Sequence, residues 1–514
     1  MPPSHRSKVG RSFPGSIYSN FASAEANITV VRTWAFNDVL EIPQNGTWFQ
    51  LLVNGTSTLN LNETTGLPKL DRIISMAEKH GIYLLLSLTN NWNPLPTDNL
   101  TDTTHPAIAK RDVLTNNSLP RNSLSNDYGG MDAYVRSFGG KTHDEFYVNE
   151  TMITAFEHYI TQLVSRYVNN ASVLAWEVAN DPRCTSSLNS TSSCNTTTLT
   201  LWHERIATHI SSIDPNHLVS SGTQGFLCAD CPKVNKQPTT PSPSRPQPSS
   251  GSAKRQNVPS PLTRARVLQE RKAARKVTRA LRLKSEVPSG VRVRGKWVAT
   301  PTVRQDNSVG SAFDGSTGVD SGDILDIAQI GFGSFQLFPD QNQYAPDDPN
   351  LPAFNNTVQA GLQWIRMHSQ SSQTANKPII MSGFGLVTQE SAPSFVPFNS
   401  TVAPFANDQI GNVTLNPGVA PYGVTDPQRN DAYMQWLQQG IASGLAGIIQ
   451  YQWGQGNLTT ANGTAIAPTI TENGIEPVQN STGVSPSDGY SIVGVGQESV
   501  QNVIQQAAQQ FAPN

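Results

Sequence analysis

Short, nearly continuous apolar runs alternate along the chain with stretches whose apolar residues recur every three or four positions. Seven runs read as strands: residues 28–34, 83–90, 173–180, 218–224, 330–338, 378–384 and 446–453. None alternates strictly between apolar and polar, the pattern of parallel strands covered on both faces. Helical spacing fills the gaps. Leu70, Ile73, Ile74 and Ala77 share one face, and His80-Gly81 supplies a cationic-capable last turn and a stop. Ile153, Phe156, Ile160, Leu163, Val164 and Tyr167 form a second face, and Leu199, Trp202, Ile206 and Ile210 a third. Leu362, Ile365 and His368, then Tyr433, Trp436, Leu437 and Ile441, continue the alternation. Repeated strand–helix units predict an α/β fold with a parallel sheet.

A closed (β/α)8 TIM barrel has eight strands. Residues 19–27 read as the first helix, and no strand pattern precedes them. The expectation is therefore a barrel lacking its first strand, with an atypical segment at 1–18 and a truncated or misassigned start. The barrel is expected in two parts, 19–231 and 311–514, the second ending in a helix. Two insertions interrupt it. Residues 94–125 are polar and turn-rich, a long loop. Residues 232–310 open Pro/Ser-rich and continue as a basic, helix-prone stretch at 263–284, expected to be a mobile surface segment.

The formal charge of -2 hides an asymmetry. Of 36 Lys and Arg, 18 fall between Lys233 and Arg304 beside two acids, leaving 18 basic against 36 acidic residues, or -18, elsewhere. An acidic body argues against a nucleic-acid partner. No apolar run reaches the ~18 residues of a membrane span, and residues 1–15 lack the apolar core of a signal peptide. Sixteen Asn-X-Ser/Thr sites, from Asn27 to Asn480, nonetheless predict a secreted glycoprotein. Cys184, Cys194, Cys228 and Cys231 fit two disulfides, with Cys184–Cys194 and Cys228–Cys231 as the preferred pairs and a four-Cys zinc site as the alternative. The nine His are scattered without an i, i+4 pair beside a carboxylate, so no metal or other cofactor is expected.

The densest chemistry lies in Trp176-Glu177-Val178-Ala179-Asn180-Asp181-Pro182-Arg183-Cys184, a buried-strand pattern ending in Asn-Asp-Pro. A carboxylate at the C-terminal end of a parallel strand is where barrel enzymes place catalytic groups, although Asn-Asp-Pro also makes an ordinary turn. With Val30-Val31-Arg32-Thr33-Trp34-Ala35-Phe36-Asn37-Asp38, Thr89-Asn90-Asn91-Trp92, Asn126-Asp127-Tyr128-Gly129-Gly130, Phe332-Gly333-Ser334-Phe335-Gln336-Leu337-Phe338-Pro339 and Ile380-Met381-Ser382-Gly383-Phe384-Gly385, taken in order, the chain resembles fungal endo-1,4-β-mannanases of glycoside hydrolase family 5. The resemblance runs from about residue 28 to 451, outside the two insertions.

It implies retaining hydrolysis of a β-mannan-type cell-wall polysaccharide, by a monomer, using two carboxylates about 5–5.5 Å apart. The departures fall on those two positions. Asp181 stands where the family has its acid/base Glu, and Gly383 where it has its nucleophile Glu. Gln336 and Phe338 match a His and a Tyr near the reacting sugar, Thr223 and Gln224 an acidic pair, and Tyr451 a Trp, with Trp453 two residues on. Arg32, Trp34, Asn91, Trp92, Trp176 and Asn180 keep their counterparts. Glu-to-Asp shortens reach by roughly 1.5 Å, and misplacement of about 1 Å already costs ~100-fold. Loss of a nucleophile typically costs about a million-fold. Two readings follow: a barrel that binds β-glycan without cleaving it, with Trp34, Trp92, Trp176 and Trp453 as stacking faces, or an endo-β-mannosidase with rearranged carboxylates, for which Glu177 and Glu390 are poor candidates.

Overall fold

The computed structural model describes residues 29–44, 46–95, 122, 124–235, 291–293, 296–298, 310–401, 403–405, 422–452, 458–459, 469–471, 474–476, 482–483, 488–492 and 497–511. The expected helix at 19–27, most of the 94–125 and 232–310 insertions, and Trp453 lie outside them.

Each of the seven apolar runs contains a strand. These are β1 (Val30–Trp34), β2 (Tyr83–Ser87), β3 (Val173–Glu177), β4 (Leu218–Ser220), β5 (Gly333–Leu337), β6 (Ile379–Phe384) and β7 (Gly447–Ile448). All neighbours are parallel and in chain order: Trp34 pairs with Ser87, Ser87 with Glu177, Glu177 with Ser220, Gln336 with Gly383, and Met381 with Ile448. A parallel bridge between Ser220 and Phe332 joins β4 to β5. Among the described residues there are seven barrel strands, and β7 does not pair with β1. Every residue of β1 is half-buried, as suits a strand with one paired edge. The strands end earlier than the apolar runs because residues after Ser87, Glu177 and Ser220 turn over the barrel mouth, carrying the polar side chains described below.

The helices pack around the sheet. Helix α1 (Pro68–His80) buries Leu70, Ile74 and Ala77 and stops at Gly81, whose φ of 66° is the left-handed conformation that glycine adopts without strain. Helices α2 (Glu150–Tyr167) and α3 (Thr196–Ile213) begin at Asn149 and Asn195, whose Oδ1 atoms accept from otherwise orphaned backbone N–H groups. Helix α4 (Ala353–Ala375) packs on α5 (Asp426–Ala442), which starts with a Thr425/Gln428 capping box, and α6 (Glu498–Phe511) closes the chain. Trp176, Trp364 and Trp436 are fully buried between sheet and helices. A small sheet of Asp38–Val39, Gln50–Val53 and Thr56–Leu59 follows β1, an element that the sequence reading did not anticipate. Residues 238–307 form a separate compact unit, in which Val291–Val293 pairs antiparallel with Lys296–Val298.

Candidate functional site

The mouth above the C-terminal strand ends is built around one ion pair. Arg32, from the middle of β1, lays its guanidinium on Glu177 at the end of β3, with Nε 3.1 and 3.0 Å from the two carboxylate oxygens and Nη2 2.5 Å from Oε1. Nη2 also donates to Asn180 Oδ1 at 2.7 Å. The Glu177 side chain is completely buried and that of Arg32 is 9% exposed, so the carboxylate's charge is spent on Arg32 rather than offered to a ligand. Asn180 donates onward to Asn90 Oδ1 at 2.7 Å and accepts from Gln336 Nε2 at 3.0 Å. Trp34 lies beside Arg32, 5.3 Å from its ring centroid to the guanidinium carbon, and its indole donates to Ser125 O.

Asp181 sits on a strained turn. Its φ is 51°, uncommon for a non-glycine residue, and its N–H donates to Gly222 O at 2.8 Å. Gly222 lies so close beneath that an added Cβ would stand 1.7 Å from Ala179 O. The Asp181 carboxylate is buried and clasped from two sides. Arg183 donates through Nε to Oδ1 at 2.8 Å and through Nη2 to Oδ2 at 2.9 Å, and the Trp92 indole donates to Oδ2 at 2.9 Å. Three donors thus meet its two oxygens, and neither oxygen points into the cleft.

Gly383 forms part of the cleft floor. A Cβ added there would meet Phe338 Cζ at 3.3 Å, Phe338 Cε2 at 3.4 Å and Gln336 Cγ at 3.8 Å. The edge of the Phe338 ring therefore covers the place where a side chain from 383 would leave the strand. Gln336 is held from behind by Gln224 Nε2 at 3.3 Å.

Loops close the mouth from above. Phe398 packs edge-on against Phe338 at 5.2 Å and near Tyr451 at 6.2 Å, and Tyr490 joins them. The Tyr451 hydroxyl donates to Asp488 Oδ2 at 2.5 Å, and Ser125 Oγ donates to the same oxygen at 3.2 Å. Asp488 is buried, Oδ1 has no partner among the described residues, and desolvation pushes its carboxyl up to about 6. Asp340, half-buried beside this cluster and accepting from Val387 N–H at 2.9 Å, is pushed up to about 7 for the same reason. The free space left in the cleft is about 20 Å³, room for one water.

Arg32, Trp34, Trp92, Asn180, Gln336, Phe338, Gly383 and Tyr451, singled out from sequence, thus share one cleft. Three others do not line it. Asp181 is turned into the Arg183–Trp92 clasp. Trp176 is completely buried and donates to Asp214 at 2.8 Å, behind the sheet, so it offers no stacking face. Asn91 is completely buried, accepting from His143 Nε2 at 2.9 Å and Arg183 N at 2.9 Å, so it braces the Asn-Asp-Pro turn rather than facing solvent. Glu390 is exposed in the turn after β6. Asn90, Ser125, Asn126 and Phe398 also line the cleft. Asn90 and Asn126 lay within quoted motifs, but Phe398 had no signal, because its position comes from a loop without periodicity.

The cysteines are joined as Cys184–Cys194 and Cys228–Cys231. Among the described residues no group of three or more His, Cys, Asp or Glu is placed to hold a metal ion, and no helix is long and apolar enough to cross a membrane. Eight glycosylation-type asparagines are described (Asn54, Asn62, Asn149, Asn170, Asn189, Asn195, Asn355 and Asn399), and none is buried.

Residues 6–246 match the profile of the cellulase family, glycosyl hydrolase family 5. A probable mannan endo-1,4-beta-mannosidase A-2 of Aspergillus terreus is 36% identical over 203 residues, 39% of this chain and 41% of the relative. The mannan endo-1,4-beta-mannosidase A of Aspergillus aculeatus is 35% identical over 204 residues, 40% and 43%. The matched stretch spans about two fifths of these relatives. Among solved structures, the endo-1,4-beta-mannanase of Rhizomucor miehei aligns over 96% of this chain and 90% of its own with a TM-score of 0.55 at 22% identity. The endo-1,4-beta-D-mannanase of Thermotoga petrophila aligns over 98% and 96% with a TM-score of 0.52 at 20%. The fold is a (β/α)8 barrel.

Proposed function

We propose that this protein is a β-mannanase-like barrel that binds a mannan-type β-glycan and does not hydrolyse it by double displacement. One observation carries the reading: among the described residues, no carboxylate side chain lines the cleft. Retaining hydrolysis needs two. In this reading Asp181 occupies the acid/base position and has both carboxylate oxygens taken up by Arg183 and Trp92, and Gly383 occupies the nucleophile position and has no atom to attack with. The binding half of the site is retained: Arg32, Asn90, Asn180 and Gln336 as hydroxyl partners, and Trp34, Trp92 and Tyr451 as ring faces. The mannan class rests on the similarity to the Aspergillus proteins. The dense glycosylation sites, with all eight described ones at the surface, and the two disulfides support a secreted glycoprotein.

Purified protein incubated with β-mannan is expected to release no new reducing ends, while mannohexaose quenches its tryptophan fluorescence. Turnover abolished by Asp181→Ala would overturn the non-catalytic reading. The endo-β-mannosidase reading has one supporting feature, Asp488, a buried carboxyl raised to about 6 behind the Tyr451 wall. Turnover abolished by Asp488→Asn but not by Asp181→Ala would favour it.

A further inference from the structure

We propose that Phe398 is an autoinhibitory plug, and that displacing it with residues 396–400 admits the sugar chain to the cleft. This regulation of the site rests on the glycan-binding reading. A cleft with about 20 Å³ of free space does not admit a sugar ring, because ligand sites need hundreds of cubic ångströms. Binding therefore requires that something leave. Phe338 and Tyr490 are 1% exposed parts of the packed wall, whereas Phe398 is half-buried and sits on a segment without regular secondary structure.

That segment has no sheet ladder and is held by a few polar groups and by Val396, buried against Leu124 and Ala403 at its start. Asn126 Nδ2 donates to Phe398 O at 2.7 Å and to Ser400 O at 2.9 Å. Phe398 N donates to Gln341 Oε1 at 2.7 Å, and Val396 N donates to Asp488 O at 3.1 Å. Such a segment opens at a smaller cost than a core strand. The freed Asn126 amide is also a group that bonds sugar hydroxyls, so an entering glycan replaces the bonds that its entry breaks. Plug and ligand compete for the same floor: the Phe398 ring stacks edge-on against the Phe338 ring that covers Gly383.

The test uses a thiol at the cleft floor. All four native cysteines are in disulfides, so Gly383→Cys introduces a single reactive thiol. Its modification by Ellman's reagent is expected to be slow, and about tenfold or more faster when Phe398→Ala is added. Gln341→Ala, which frees the segment without deleting a ring, is expected to act in the same direction. Mannohexaose is expected to bind at least about tenfold more tightly to Phe398→Ala than to the parent, read by tryptophan quenching. A thiol equally reactive in all three backgrounds overturns the plug and leaves glycan binding standing. A thiol unmasked as expected, with no mannohexaose bound by either protein, sinks the glycan reading and the plug's role with it.

Discussion

The carboxylate of Asp181 and the guanidinium of Arg183, two residues apart, form a two-pronged ion pair with N–O distances of 2.8 and 2.9 Å inside the protein. Pro182 between them and the left-handed φ of Asp181 fold the chain back so that both side chains point the same way. Trp92 completes the clasp from the facing loop, and the Arg183 guanidinium also lies 4.6 Å from the centroid of the Phe226 ring. Breaking one half of a buried pair strands the other charge. Arg183→Met alone is expected to cost about 3–5 kcal/mol. Asp181→Asn with Arg183→Met is expected to cost less than the sum of the two single changes, because neither charge is then left alone. Urea unfolding of the four proteins measures this coupling. Additive losses would show that the pair contributes nothing beyond packing.

Restoring the missing carboxylate has a steric condition attached. Gly383→Ala places its Cβ 3.3–3.4 Å from the Phe338 ring, a contact that a few tenths of an ångström relieve. Its expected cost is within about 1 kcal/mol. Gly383→Glu must put a charge against Phe338 and the aromatic roof, where an unpaired ionised group is costly. The Gly383→Glu, Asp181→Glu double variant is therefore expected to lose stability and to release no reducing ends from mannan while the roof is in place. Hydrolysis by this double variant alone would show that the cleft opens more readily than its packing indicates.

All seven barrel strands were readable because parallel strands covered on both faces are nearly continuous apolar runs, and the helices between them because three- and four-residue spacing survives in Leu70–Ala77 or Ile153–Tyr167. The lengths were not readable. Polar residues such as Asn90 and Asn180 continue the chain direction past the ladder and meet in an isolated bridge, which no pattern announces. For the site, sequence located Arg32, Trp34, Asn180 and Gly383 but not their orientations. Nothing in Trp176 distinguishes a side chain facing Asp214 behind the sheet from one facing the cleft, because successive strand residues are covered on both faces here. The rest of the roof was invisible for a different reason: Phe398 and Asp488 reach Tyr451 through loops whose sequence separation carries no period.

Stability should depend on pH through two opposed pairs. Desolvation raises Asp340 to about 7 and Asp488 to about 6, from 3.8. As pH rises from about 4, the unfolded chain ionises these groups first, so each lowers stability up to its folded value. Burial lowers His203 to about 4 and His368 to about 3, from 6.5. As pH falls below 6.5 the unfolded chain takes up those protons first, so each His raises stability as pH climbs from about 4 to 6.5. The two effects oppose each other across pH 4–6.5. Asp340→Asn with Asp488→Asn removes the falling part, and the midpoint of thermal unfolding is then expected to climb with pH across that window more steeply than in the parent. Equal slopes would mean that neither carboxyl is protonated in the folded protein at pH 5.

The turn that presents Asp181 is braced by a buried polar chain whose loss should be felt at the cleft. His143 lies between Asp132, 2.6 Å from its Nδ1, and Asn91 Oδ1, 2.9 Å from its Nε2, with all three side chains fully buried. Ser186 Oγ lies 2.7 Å from Asp132 Oδ2 and 2.5 Å from Asn91 O, with one proton to give to either, and Asn91 Oδ1 in turn accepts from Arg183 N. Asn91→Ala leaves the Arg183 N–H without its acceptor, while His143 Nε2 keeps the Tyr147 hydroxyl at 3.2 Å. A buried unsatisfied group costs about 1–3 kcal/mol, so a loss of that size is expected. Because Arg183 is the residue released, Asn91→Ala should also loosen the clasp on Asp181 and shift the emission of Trp92, whose indole donates to that carboxylate. Comparison with Trp92→Phe isolates this contribution. A destabilised Asn91→Ala whose Trp92 emission matches the parent would mean that the buried chain supports the barrel without positioning the turn.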